Sequence, residues 1–174
     1  MTKSEVRAVC MSKLDLSPCD IAYDIGCGTG SVSIEMAFAT YEGRVYAFDK
    51  NEEAVGLVLE NARKFHLDNI EAVCGLAPEC LEGLPAPDVA FIGGSSGNME
   101  EIVNFLYGKN SRIRFVITAV TIETAMAALE SLENVGIDGD IVQVAVSKGR
   151  QIGDLHMLMA QNPIFIINGG GDDE

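Results

Sequence analysis

A chain of 174 residues is the size of one domain with one sizeable core. Its apolar share, 48%, excludes a disordered chain. Against 26 Asp and Glu stand only 12 Lys and Arg, a formal net charge of −14, and a surface of that sign repels phosphate backbones and argues against a nucleic-acid partner.

In chain order, Thr2-x-x-Glu5 has the form of a capping box, and Val6, Val9, Cys10 and Leu14 follow at helical spacing, closed by Pro18. Residues 21–25 read as a first strand and 26–30 as a tight turn. Ile34, Ala37, Phe38 and Tyr41 predict the apolar face of a helix that Gly43 ends. A second strand, 45–48, runs to Asp49, and Asn51 caps a helix with Val55, Val58, Leu59, Ala62 and Phe65 inward. A third strand, 70–74, leads to Gly75-Leu76-Ala77-Pro78, which opens a short helix. A fourth strand, 88–92, runs into Gly93-Gly94-Ser95-Ser96-Gly97. Asn98-x-x-Glu101 reads as another capping box, ahead of Met99, Ile102, Val103 and Leu106, with Gly108 as the stop. After a fifth strand, 113–119, Thr121 caps a helix with Ile122, Ala125, Leu129 and Leu132 inward, ended by Gly136.

Beyond Gly136 the alternation stops. Residues 141–146, 156–160 and 163–167 read as strands with no helix between them, and strands joined without a crossover helix imply an antiparallel hairpin. With no repeat or linker, the expectation is one domain over 1–168 and a flexible tail over 169–174. The predicted fold is α/β: a mixed seven-stranded sheet with a C-terminal antiparallel hairpin, the Rossmann-like arrangement of class I methyltransferases.

Five cysteines, an odd number with no C-x-x-C, argue against a disulfide framework or a zinc site, so no metal is expected. A polar start and the lack of an apolar run near the roughly 18 residues of a membrane span predict a cytoplasmic chain with no membrane partner.

The segment from Asp24 to Ser31 carries most of the functional signal. Gly26 permits a sharp turn off the strand, and Gly28 and Gly30 leave room for a ligand against bare backbone. A dinucleotide fingerprint, G-x-G-x-x-G, requires its third glycine at residue 31, which is Ser31. The shorter form after Asp24 suits a ligand with an amino-acid end, whose ammonium the Asp24 carboxylate can attract directly or through water. Asp49, ending the second strand, can accept from two ribose hydroxyls, or can merely cap the Asn51 helix. Gly75 and Ala77 are small enough to border a flat purine ring. Together these residues predict S-adenosylmethionine at the turn.

The stretches Thr2-Lys3-Ser4-Glu5-Val6-Arg7, Asp24 through Glu35, Gly75-Leu76-Ala77-Pro78-Glu79, Phe91-Ile92-Gly93-Gly94-Ser95 and Asn162-Pro163 resemble one family, the decarboxylating cobalt-precorrin (carbon 15) methyltransferases of anaerobic cobalamin biosynthesis. The similarity extends over nearly the whole chain. It implies methylation of a cobalt-precorrin tetrapyrrole at carbon 15 with decarboxylation of the carbon 12 acetate, in a homo-oligomer, typically a homotetramer. Carried over by position, cofactor contacts fall on Thr2, on Gly26, Cys27, Gly28, Thr29 and Gly30, and on Asp49 and Ala77. This sequence departs from the family's G-G-S-G-G loop, with Ser96 in place of the fourth glycine and Asn98 after Gly97. Relatives carry residues ahead of the threonine motif, in some cases a whole partner precorrin methyltransferase domain, so the expectation is either a separately encoded partner of that kind or a longer protein of which this chain is a piece.

A sulfonium methyl is already activated, and the protein needs chiefly to hold the reacting carbon in line and exclude water, so no nucleophilic side chain is expected and no catalytic residue is named. His156 titrates in the range of a proton donor but reads better as a sheet-surface residue, and His66 as a helix end. For the substrate's carboxylates the candidate partners are Lys3, Arg7, Lys148 and Arg150, with Ser95 and Ser96 at the acceptor side. An RNA or protein methyltransferase of the same fold, a non-catalytic cofactor-binding subunit and a nicotinamide dehydrogenase stand as alternatives. The acidic charge, the absence of an N/D-P-P-Y motif after the fourth strand and the missing third glycine count against the first and last.

Overall fold

The computed structural model describes residues 3–171. Five helices, α1 (Ser4–Leu14), α2 (Ser31–Ala39), α3 (Glu52–Lys64), α4 (Met99–Lys109) and α5 (Ile122–Asn134), alternate with strands β1 (Ile21–Ile25), β2 (Arg44–Asp49), β3 (Ile70–Cys74), β4 (Val89–Ile92) and β5 (Arg114–Ala119). Four more strands follow: β6 (Asp140–Val144), β7 (Ser147–Ile152), β8 (Leu155–Ala160) and β9 (Ile164–Gly170). The seven-stranded sheet has the order β3-β2-β1-β4-β5-β9-β6, with β9 antiparallel to both neighbours.

Helices cover both faces, so the central strands read as continuous apolar runs. All four residues of β4 are buried. On one face α1 and α2 bring Val6, Cys10, Leu14, Val32 and Met36 against Ala22, Val89 and Phe91. On the other, α4 and α5 pack Ile102, Leu106, Ala128 and Leu132 over Tyr23, Phe48, Ile92 and Phe115. A buried Phe contributes about 2–3 kcal/mol by leaving water, so the few aromatic rings weigh heavily.

The helix ends follow local chemistry. Asn51 Oδ1 accepts from Glu53 N at 2.9 Å, and Thr121 Oγ1 from Thr124 N at 3.2 Å, as expected of caps. Gly136, at φ +80°, closes α5 with Gly136 N donating to Glu133 O and Ile137 N to Leu132 O. His66 holds the equivalent left-handed position after α3, which gives it a structural place.

Several expectations are corrected. Phe38, Tyr41, Phe65 and Ile122 are 52%, 66%, 47% and 66% exposed instead of facing inward. Helix α2 ends at Ala39, well before Gly43, and Gly108 lies inside α4. Asn98 makes no side-chain cap; its Nδ2 donates instead to Ala77 O at 3.2 Å. The Thr2 capping box lies outside the described residues. The terminal antiparallel pair is β9 against β5 and β6, while residues 155–160 leave the sheet and pair with the unanticipated β7 in a separate ribbon. Gly169 and Gly170 belong to β9, paired with Phe115 and Arg114, so the strand runs into the segment expected as tail.

Candidate active site

Strand order reverses between β1 and β4, since β2 lies on one side of β1 and β4 on the other. In open α/β sheets such a switch point leaves a crevice at the carboxyl ends of the strands. Here the loops after β1 and β4 meet in it backbone to backbone. A Cβ on Gly26 (φ +75°) would come within 2.8 Å of Gly94 N and O.

Cavities open on both sides of that contact. The first, about 200 Å³, is lined by Gly26, Phe48, Asp49, Lys50, Gly75, Ala77, Ser95 and Ser96. The second, about 270 Å³, is lined by Lys3, Val6, Gly26, Gly28, Gly93, Thr118 and Ile164. A third, about 280 Å³, adjoins them through Gly93, Ser95 and Ser96 and extends to Thr118 and Thr124.

Asp49 ties the glycine turn to the end of β2. Its Oδ2 accepts from Gly28 N at 2.9 Å and its Oδ1 from Asn51 N at 3.0 Å. Each oxygen retains a lone pair, because a carboxylate offers about four acceptor positions. Gly28, at φ +54°, has nothing within 4 Å of a would-be Cβ, so a ligand can approach its backbone. Gly30 differs: its missing side chain makes room for Val58 Cγ2, 2.8 Å from a would-be Cβ, so this glycine serves helix packing.

Asp24 is wholly buried beside the turn. Ser33 of α2 donates its hydroxyl to Asp24 Oδ2, while Oδ1 has no hydrogen-bond partner. Burial pushes the carboxyl up to about 7; the Ser33 bonds pull it down and the Asp49 charge adds to the rise. A buried acceptor without a donor is costly to leave so, and it fits a bound cation or a water beneath one.

The remaining candidates divide. The Cys27 side chain packs with Ala47 and Val58, where burial pushes its thiol up, and its backbone holds the turn, with Cys27 N donating to Phe48 O at 3.0 Å and Cys27 O accepting from Gly30 N at 2.9 Å. Thr29 lies away from both clefts, in a depression with Arg7, Glu35, Phe38 and Phe65. Gly75 borders the first cleft, but a Cβ there would meet Cys80 Cβ at 2.6 Å, so it accommodates Cys80 rather than a ring. Ala77 lines the same cleft and is buried. Lys3, Ser95 and Ser96 line the clefts. Arg7 does not: it pairs with Glu35 at 2.5 Å. Lys148 pairs with Glu5 at 3.1 Å, and Arg150 stands on the exposed ribbon two residues further. His156 is exposed on β8. Thr2 lies outside the described residues.

Among the lining residues that sequence reasoning missed, Thr118 and Lys50 carried a signal: Thr118 is a hydroxyl after the apolar run Phe115-Val116-Ile117 at the carboxyl edge of β5, and Lys50 directly follows Asp49.

Residues 1–168 match one family, described as the precorrin methyltransferase domain. The chain belongs to the precorrin methyltransferase domain family. A family relative from Pyrobaculum calidifontis, named a probable cobalt-precorrin-6B C(15)-methyltransferase (decarboxylating), is 41% identical over 169 residues, covering 96% of this chain and 87% of the relative. A crystal structure of a precorrin-6y C5,15-methyltransferase from Geobacter metallireducens superposes with a TM-score of 0.92 at 39% identity, covering 99% of this chain and 90% of that one. A precorrin 8w decarboxylase from Methanobacterium thermoautotrophicum reaches the same TM-score of 0.92 at 35% identity, covering 98% and 91%. The precorrin methyltransferase fold is thus the class I methyltransferase fold expected above, with a ribbon inserted between its last two sheet strands.

Proposed function

We propose that the protein binds S-adenosylmethionine across the Gly26–Gly94 contact and methylates a cobalt-precorrin at carbon 15 while the carbon 12 acetate leaves as carbon dioxide. One observation carries the reading: the two clefts meeting at Gly26, one ending at a ribose-type carboxylate and the other running along the glycine turn that follows Asp24, whose buried Oδ1 has no hydrogen-bond partner. The nucleoside fits the side of Asp49 and Ala77, and the methionine end the side of Gly28, with its ammonium toward Asp24. The names of the 35–41% identical relatives support the acceptor.

The bound sulfonium supplies an activated methyl group. The chain's part is geometry. Asp49 holds Gly28 N–H and fixes the turn; Gly94 closes on Gly26; Ser95 and Ser96 border the neighbouring cavity, where an acceptor carbon can lie in line. Carbon dioxide leaves its electron pair to the conjugated ring; the methylene left on carbon 12 takes up one proton and the methylated carbon 15 releases one, so the step balances with no oxidant and no net proton.

We further propose that the chain works as a homo-oligomer, a tetramer, in the cytoplasm, beside a partner precorrin methyltransferase domain. Support for self-association comes from the β7–β8 ribbon, which exposes Ile152, Leu155, Met157, Leu158 and Met159 by 45–76%. An isolated two-stranded ribbon is marginal in water, so a covering surface would stabilise it. The free state of all five cysteines suits a reducing compartment. Calorimetry with S-adenosylmethionine tests the cofactor: heat of binding in wild type and none in Gly28→Val is expected, and wild type without heat refutes the reading.

A further inference from the structure

Five of the 12 Lys and Arg residues of this acidic chain pair with carboxylates in place. Arg7 pairs with Glu35, Lys13 with Asp140, Arg44 with Glu71, Arg114 with Asp20 and Lys148 with Glu5. Lys50 is exposed at the rim of the first cleft and meets no carboxylate among the described residues. Its Nζ donates to Ser96 Oγ at 3.2 Å, joining the loop after β2 to the loop after β4. Ser96 stands at φ +53° with Gly97 following at φ +97°, a left-handed bend that turns the loop back toward Lys50. Ser96 also borders the neighbouring cavity, so the bond sits on the boundary between the two.

We propose that Lys50 is a specificity residue that binds a peripheral carboxylate of the acceptor, and that Ser96 is the positioning residue that holds its ammonium at the cleft mouth. The inference rests on the reading of the acceptor as a polycarboxylate ring. A chain of net charge −14 repels such a molecule unless a local cation is left unneutralised near the site. An ammonium has three donors; one is used by the hydroxyl, and two remain for an incoming carboxylate. A bond from ammonium to carboxylate is about twice as strong as one between neutral groups, so the acceptor adds to the Ser96 contact or displaces it. Lys3 stands across the trough with its Nζ on Asn162 O at 3.5 Å, so a wide ring can meet a cation on either side.

The test is steady-state turnover of cobalt-precorrin by wild type, Lys50→Met, Lys50→Arg and Ser96→Ala, with S-adenosylmethionine affinity measured by calorimetry. Lys50→Met is expected to raise the acceptor KM about fivefold, with kcat and cofactor Kd unchanged within about twofold. Lys50→Arg restores the KM, and Ser96→Ala raises it by about twofold. The KM of Lys50→Met also responds less to added salt. An unchanged KM in an active Lys50→Met enzyme overturns the inference and leaves the parent reading standing. A loss confined to cofactor affinity assigns Lys50 to the nucleoside and overturns it too. A wild type that methylates no ring overturns the parent reading, and this one with it.

Discussion

Gly26 and Gly94 touch backbone to backbone at the point where the sheet's strand order reverses, closer than any side chain at residue 26 allows. Because the obstruction is main chain and φ is +75°, Gly26→Ala has no soft neighbour to displace. It is expected to cost about 2–3 kcal/mol, from left-handed strain plus displacement of the loop, and to abolish cofactor heat. Gly28→Ala has open space and costs only about 1–2 kcal/mol of strain, yet it intrudes on the ligand. Denaturant melts and calorimetry on the pair separate the two effects. Normal cofactor binding by Gly26→Ala contradicts the assignment of the turn.

Asp49 joins the turn to the nucleoside side through Gly28 N and Asn51 N. Asp49→Ala removes an acceptor from both amides and from any ribose. Hydrogen bonds to a charged group are worth about 1.5–3 kcal/mol, so the cofactor Kd should rise at least tenfold, by roughly 10–150-fold. Equilibrium binding of labelled S-adenosylmethionine measures this, and a change below about twofold leaves Asp49 as a cap only.

Asp24 makes the protein pH-sensitive in a stated direction. Its carboxyl is pushed up to about 7 from an ordinary value of 3.8, so the native state holds a proton that the unfolded state releases. The associated stability is fully present below about 4 and is lost as pH rises through about 7. An ammonium beside Asp24 favours the carboxylate, so cofactor binding below that pH expels a proton. Affinity should therefore rise by up to about tenfold per pH unit until about 7 and then level off. Asp24→Asn flattens both profiles, as melts and calorimetry in buffers of differing ionisation enthalpy will register. A wild-type affinity independent of pH from 5 to 8, about the span of the shift, removes Asp24 from the cofactor's surroundings.

The ribbon carries its own prediction. Leu155 and Leu158 lie on opposite faces of β8 and are 72% and 76% exposed. Leu155→Asp with Leu158→Asp is expected to turn the oligomer into monomers in light scattering without lowering the melting temperature of the sheet domain. A wild type that is monomeric at micromolar concentration removes the oligomer.

Much of this was legible in the sequence, for identifiable reasons. Strands β1, β4 and β5 are nearly unbroken apolar runs between helical periods, and Asn51, Thr121 and Gly136 mark helix ends by their own hydrogen bonds. The β7 strand was hidden because Lys148-Gly149-Arg150-Gln151 is polar on both faces and lacks alternation. Phe38 and Phe65 mislead because they pair with each other, ring centres 5.9 Å apart, on the surface. In the site, Asp24, Asp49 and the glycines announce themselves by spacing. The different tasks of Gly28 and Gly30 do not, since what fills the space over a glycine is decided by α3, far along the chain. Likewise Arg7 reads as a free cation until α2 brings Glu35 beside it.

The most direct measurement is mass spectrometry of a cobalt-precorrin incubated with this protein and methyl-labelled S-adenosylmethionine. The product is expected to carry one labelled methyl at carbon 15 and to have lost one carbon dioxide. An unaltered ring, from folded protein that binds the cofactor, contradicts the account.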